Sequence, residues 1–177
     1  MRVLGVDPGS VVCGWGLIEG RPGEPRYVAA GTIRTAAIKR GPSRLRKIHE
    51  ELIRIIDEFA PATLALERHF MAANVQSAFR LGESRAMALL AAAERSLDLF
   101  EYPPNQVKLA VAGHGHADKE QIKYMVRRAL GLAAGGALAT DAADALAIAL
   151  CHCGRTRAAH FVESIERNRP EGGRSVR

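Results

Sequence analysis

The sequence predicts an α/β fold: a mixed five-stranded sheet flanked by helices on both faces. Three observations predict it. Residues 2–34 hold three strand-like runs joined by short turn sequences, which reads as an antiparallel meander. Beyond them, helical periodicity alternates with two short apolar runs, 63–67 and 98–102, the pattern of strands added through helical crossovers. At 177 residues the chain is long enough for one domain with a sizeable core.

The elements follow in order. Residues 2–7 form a short apolar strand ending at Asp7, and Pro8-Gly9-Ser10 is turn chemistry. A second strand spans 11–19, with Gly14 and Gly16 inside it; glycines there imply close approach by another backbone, or a bulge. The third strand spans 26–34. Leu45, Ile48, Leu52, Ile55, Ile56 and Phe59 recur on one helical face, with Pro42 and Ser43 at the start and Pro61 beyond the end. Thr63 to Glu67 is a buried parallel strand ending in a carboxylate. A long helix covers about 74–96, a fifth strand 98–102, and a short helix 105–111. Asp118 and Gln121 form a capping pair for a helix that ends near Gly131. Thr140 caps a last helix over 141–152. The domain is expected to span 1–154, and the arginine-rich stretch 155–177 is expected to fray.

A net charge of +6 and a pI near 9.6 favour a polyanionic partner such as nucleic acid, although a basic surface also serves solubility. Three cysteines, Cys13, Cys151 and Cys153, give no disulfide framework and fit a reducing compartment. Cys151-His152-Cys153 matches no common zinc spacing, so these residues read as packing at a helix end. The N-terminus lacks the apolar run of a signal peptide, and no stretch reaches the roughly 18 apolar residues of a membrane span. A cytoplasmic protein without membrane contact is expected.

The chemistry lies in carboxylates. Asp7 and Glu67 each end a strand. In a sheet where those strands are parallel neighbours, both meet at the binding edge. Asp141-Ala142-Ala143-Asp144 opens a helix that is otherwise apolar nearly all round, and such a helix is buried. Positions i and i+3 share a face, so the two aspartates point together. Buried like charges need a cation, and no basic residue lies within that helix to supply one. A divalent metal with oxygen ligands meets the need; magnesium suits it, with two ions expected and manganese able to substitute. Two ions can clamp the attacking and leaving oxygens of a phosphodiester, with water as nucleophile. Taken singly, Asp7 reads equally as a turn residue, Glu67 as a surface charge, and Asp141 as a charge favoured at a helix N-terminus. Asp144, further into the apolar helix, is harder to explain without chemistry.

Residues 4–10 with Gly14 and Gly16, Leu66-Glu67 with Phe70 and Asn74, Ser77-Ala78 with Leu81-Gly82, Gln106-Val107-Lys108, the stretch Gly113 to Lys119, and Asp141 to Ala147 stand in one order. That set resembles the RuvC family of Holliday junction resolvases, over nearly the whole chain except the tail. The resemblance implies an RNase H-like fold, a homodimer, and metal-dependent paired nicking of four-way junctions in recombination and repair. It also implies cooperation with a branch-migration motor complex. It assigns Asp7, Glu67, Asp141 and Asp144 to the metal-binding catalytic set. Lys108 and Lys119 would contact phosphate near the cut, with Lys119 also serving catalysis. Phe70 would stack on a base at the crossover, and Asn74 would contact DNA. Two positions depart from the family pattern: Cys13 stands where threonine is common, and Ala73 where lysine or arginine is common.

By residue chemistry alone, Phe70 also reads as core and the two lysines as solvated. Other functions fit parts of the pattern: phosphoryl transfer on a small molecule, a non-catalytic DNA-binding module, and an RNase H-like nuclease acting on RNA or hybrids. The first needs two such domains with nucleotide between them. The second leaves two aspartates in an apolar helix without a purpose.

Overall fold

A computed structural model describes residues 1–21, 24–68, 75–133 and 136–167, with backbone alone for residues 21 and 156–167. Five strands, β1 (Arg2–Asp7), β2 (Val12–Arg21), β3 (Glu24–Arg34), β4 (Thr63–Glu67) and β5 (Asp98–Tyr102), form one sheet in the order β3-β2-β1-β4-β5. The first three strands are an antiparallel meander, and β4 and β5 extend it in parallel from β1. Five helices complete the fold: α1 (Gly41–Phe59), α2 (Val75–Glu94), α3 (Pro104–Ala112), α4 (Lys119–Ala129) and α5 (Thr140–Arg167).

Side-chain alternation divides the sheet between two cores. Leu4, Val6, Leu17, Leu64 and Leu66 point to one face, where Ile48, Leu52, Ile55 and Ile56 of α1 and Ala88, Ala91 and Ala92 of α2 cover them. Val3, Ile18, Ala65 and Tyr102 point to the other, beneath α3, α4 and α5. Helices therefore flank both faces, as the sequence predicts. Among the described residues, no helix is long and apolar enough to cross a membrane.

The glycines inside β1 and β2 let α5 lie directly on the sheet. A Cβ at Gly5 would stand 2.0 Å from the Ala145 carbonyl oxygen, and one at Gly14 would stand 2.0 Å from that of Asp141. At Gly16 the obstacle would be the Leu146 side chain, 2.6 Å away. The approaching backbone that these glycines predict is the helix carrying both aspartates.

Boundaries are close to expectation, with two corrections. Thr140 is the first residue of α5 rather than its cap; Ala143 N–H donates to the Ala139 carbonyl at 2.9 Å. The helix also does not stop at 152 but continues to Arg167. Its only breaker on the way is Gly154, which costs a helix about 1 kcal/mol against alanine, whereas the first proline comes at Pro170. Elsewhere the expected signals operate. Proline begins α1, Ala60 ends it in the left-handed conformation at φ 45°, and Asp118 with Gln121 forms a capping box on α4.

Candidate active site

The register of β1 and β4 creates the site. Val6 and Leu66 are partners in parallel strands, so one step further Asp7 and Glu67 leave the sheet side by side. Both share the parity of Val3, Gly5 and Ala65, so both face α5. Asp7 is the register partner of Gly14, and the backbone of Asp141 lies on that same glycine. The first turn of α5 is thus held over the end of β1, and Asp144 follows one turn along.

These elements surround a cleft of about 320 Å³. Asp7, Glu67, Asp144, Asp118, Lys108 and Lys119 provide its polar lining, and Pro104, Val107, Ile122, Ala147 and Ile148 form apolar walls. Asp141 is not part of the lining, although its charge still acts on Asp144. Lys108 comes from α3 and Lys119 from the first position of α4, two helices that pack on α5. Phe70, Asn74 and Ala73 lie outside the described residues.

Burial pushes the Asp144 carboxyl above its ordinary value. Lys119 pulls it back, and the charges of Glu67 and Asp141 push it up again. The Lys119 ammonium stands 3.7 Å from Asp144 Oδ2. Residues 141–152 supply no cation to the aspartates, as the sequence shows, and α4 delivers one across the cleft. Lys119 is mostly exposed, its side chain retaining 77% of its accessible surface, so water screens the pair and leaves Asp144 only partly compensated.

The donors suit a hard divalent cation: carboxylate oxygens, two at strand ends and two on a helix, with excess negative charge at a partly buried position. Among the described residues, no three His, Cys, Asp or Glu side chains close around a single point as they stand. Asp7, Glu67 and Asp144 share a cleft without forming a closed cage. The donor chemistry and the unmet charge fit a metal.

Several other residues have their places. Asp118 reads in the sequence only as a cap. It caps α4 through Oδ1, which accepts from Gln121 N–H at 2.8 Å, and it also lines the cleft. Cys13 lies in the core beneath α1 and α2, and burial pushes its thiol up to about 12, with Asp7 and Asp141 adding to the effect. Cys151 and Cys153 are core residues. His152, between them, is buried with its Nδ1 2.7 Å from the Tyr102 hydroxyl. A tyrosine at the end of one strand and a histidine on a distant helix gave no joint signal in the sequence.

Residues 3–152 match the family described as crossover junction endodeoxyribonuclease RuvC. The chain is 48% identical over 151 residues to a protein of that name from Methylococcus capsulatus, covering 85% of this chain and 89% of that one. It is 43% identical to one from Photorhabdus laumondii, covering 93% and 90%. A solved structure of Thermus thermophilus RuvC in complex with Holliday junction substrate superposes with a TM-score of 0.83 at 34% identity, covering 90% of this chain and 96% of that one. The yeast mitochondrial resolvase Ydc2, at 14% identity and a TM-score of 0.65, shares the fold alone. The five-stranded mixed sheet with helices on both faces is the RNase H-like arrangement. With strand-end carboxylates, an aspartate-bearing helix seated on glycines, and matches along most of its length, this chain belongs to the RuvC family of crossover junction endodeoxyribonucleases.

Proposed function

We propose that this protein resolves four-way DNA junctions by paired nicks, hydrolysing one phosphodiester at each of two carboxylate sites. The observation that carries the reading is one cleft holding Asp7, Glu67 and Asp144 beside Lys108 and Lys119. Acids without cations would repel a phosphate, and cations without acids would only bind one. Nucleases of this family depend on a metal. Here Asp7, Glu67, Asp141 and Asp144 would hold it, with magnesium favoured and manganese a substitute. When bound, it supplies Lewis-acid polarisation of the phosphate and a more acidic water. The chain's own residues do the rest. Lys108 and Lys119 would contact the phosphate from the helical side of the cleft, and Lys119 would balance charge that grows on the phosphate oxygens. The apolar walls limit water and strengthen these interactions. Phe70 and Asn74 would contact DNA from the segment that follows β4.

A second copy of the chain is the proposed partner. An apolar stripe runs along the exposed face of α2: Val75 is 71% exposed, Phe79 69% and Leu90 45%, with Gly82 and Ala86 between them at helical spacing. Met87 and Leu89, elsewhere on the same helix, pack toward α1 and the sheet. A branch-migration motor complex is a further proposed partner, supported by family membership.

The test is a labelled synthetic four-way junction, a linear duplex and an RNA–DNA hybrid, each with magnesium or with excess chelator. The expected result is paired incision of the junction alone, and only with the metal. Equal cutting of the hybrid, or cutting that survives chelation, would overturn the reading.

A further inference from the structure

A second cleft, of about 360 Å³, lies at the same sheet edge on the face covered by α1 and α2; its lining includes Ser10, Lys39, Gly41, Arg44, Arg80 and Glu83. Three separate segments build it. The turn after β3 carries Lys39 and is tied to the turn that leaves Asp7: Thr35 N–H donates to the Val11 carbonyl at 2.9 Å, and its hydroxyl donates to the Ser10 carbonyl at 2.9 Å. Helix α1 begins at this edge and brings Arg44, and α2 packs along α1 and brings Arg80.

The charge in this cleft mirrors that of the catalytic one. Lys39, Arg44 and Arg80 face one concavity with Glu83 as the acid among its lining, and none of the three forms an ion pair among the described residues. Arg44 is held in place, its Nε donating to the Ile38 carbonyl at 2.5 Å. The N-terminus of α1 adds to the positive field, having no side-chain cap and no acid in its first turn. A merely solvated basic surface spreads its cations apart. Here the turn and two helices bring them together, and like charges held together favour an anion between them.

The backbone limits how far this cleft lies from the carboxylates. Asp7 lines one cleft and Ser10 the other, and the three peptide steps between them span at most about 11 Å. A DNA strand carries one phosphate per roughly 3.4 Å of helix axis. We propose that the Lys39–Arg44–Arg80 cleft is a second phosphate site, gripping the DNA strand within about three nucleotides of the bond that is cut. The inference rests on the junction-cleaving reading above and adds to it a grip on the opposite face of the sheet.

The test uses the full chain in an Asp7→Asn background, so that cutting does not intrude. Junction binding is measured against salt for this protein and for the same protein carrying Lys39→Gln and Arg80→Gln together. Both positions are exposed, and thermal melts check that the fold survives. The expected result is roughly tenfold weaker binding and a log–log salt slope shallower by about 2. Arg80→Lys in place of Arg80→Gln should restore about half of the lost slope. A scan of neutral methylphosphonates near the cut should find a position that weakens the parent and leaves the variant unaffected. An unchanged slope, or equal methylphosphonate costs in both proteins, overturns the site while parent binding leaves the functional reading standing. A parent that binds junction no better than duplex defeats that reading and this site with it.

Discussion

At the scale of single residues, the site is governed by charge that the protein itself only partly balances. Asp144 is the clearest case, raised by burial and by two neighbouring acids against one exposed lysine. A carboxyl whose folded value lies above its unfolded one contributes stability below the unfolded value, near pH 3.9, and loses it as pH rises through the folded value. At neutral pH, without metal, ionised Asp144 therefore opposes folding. Asp144→Asn should raise the melting temperature of the metal-free protein. The gain should shrink as pH falls toward 4. Magnesium should stabilise the parent and leave the variant nearly unaffected. Melting curves with chelator and with magnesium, across pH 4–8, check all three; a destabilised Asn variant at neutral pH would contradict the charge argument. Asp7→Asn, which keeps shape and removes one charge, should abolish cutting and leave junction binding largely intact. Gel-shift and cleavage assays on one preparation separate the two effects.

At the scale of elements, the determining contact is α5 on the glycines of β1 and β2. Gly14→Ala would place a methyl 2.0 Å from the Asp141 carbonyl oxygen, and neither backbone can turn aside as a flexible side chain could. The first turn of α5 must lift. The expected cost is about 1–3 kcal/mol in stability, with cleavage lost more completely than fold because Asp141 and Asp144 move with the helix. Gly154→Ala is the control on the same helix: its Cβ meets nothing within 4 Å, and it should stabilise by roughly 0.5–1 kcal/mol. Denaturant titration with a cleavage assay on both variants decides the point. Further along α5, burial first and Arg155 second lower the His152 value, so the imidazole is neutral in the fold. A histidine lowered in this way contributes stability above its unfolded value near 6.5 and loses it as pH falls through the folded value. His152→Gln should therefore weaken the acid sensitivity of melting as pH falls below about 6.5, even if it lowers stability at pH 8. Parallel melting curves with unchanged pH slope would rule this out.

At the scale of the whole molecule, one chain carries one carboxylate set, whereas resolving a four-way junction takes two incisions. A symmetric dimer meets that need, using the same patch on both copies. The exposed stripe on α2 is the proposed patch, and burying apolar surface there contributes roughly 25 cal/mol per Å². Phe79→Asp within it should shift the protein to monomer in sedimentation with the fold of each chain kept, because Phe79 is exposed in the single chain. On a supercoiled plasmid with an extruded cruciform, the parent should release linear product directly and the variant should accumulate nicked circles. A dimeric Phe79→Asp protein that still linearises the plasmid would place the interface elsewhere.

Local signals in the sequence determined most of the elements. Short continuous apolar runs gave β1 and β4, period 3.6 gave α1, and the Asp118–Gln121 pair gave the start of α4. They also marked Asp7 and Glu67 as strand-end acids and Asp144 as an acid inside an apolar helix, because a charged residue set in an apolar run stands out without coordinates. Tertiary structure decided what depends on distance in space. It joined Lys119 to Asp144 across two helices, placed Asp118 in the cleft, and turned Met87 and Leu89 inward while leaving Phe79 outward. It also brought Arg80 of α2 to Lys39 and Arg44 at the start of α1, in one concavity. Periodicity and capping act over a few residues and are written along the chain. Pairing across the sheet and between helices depends on register and packing, which arise only when separate segments bury their apolar faces against one another.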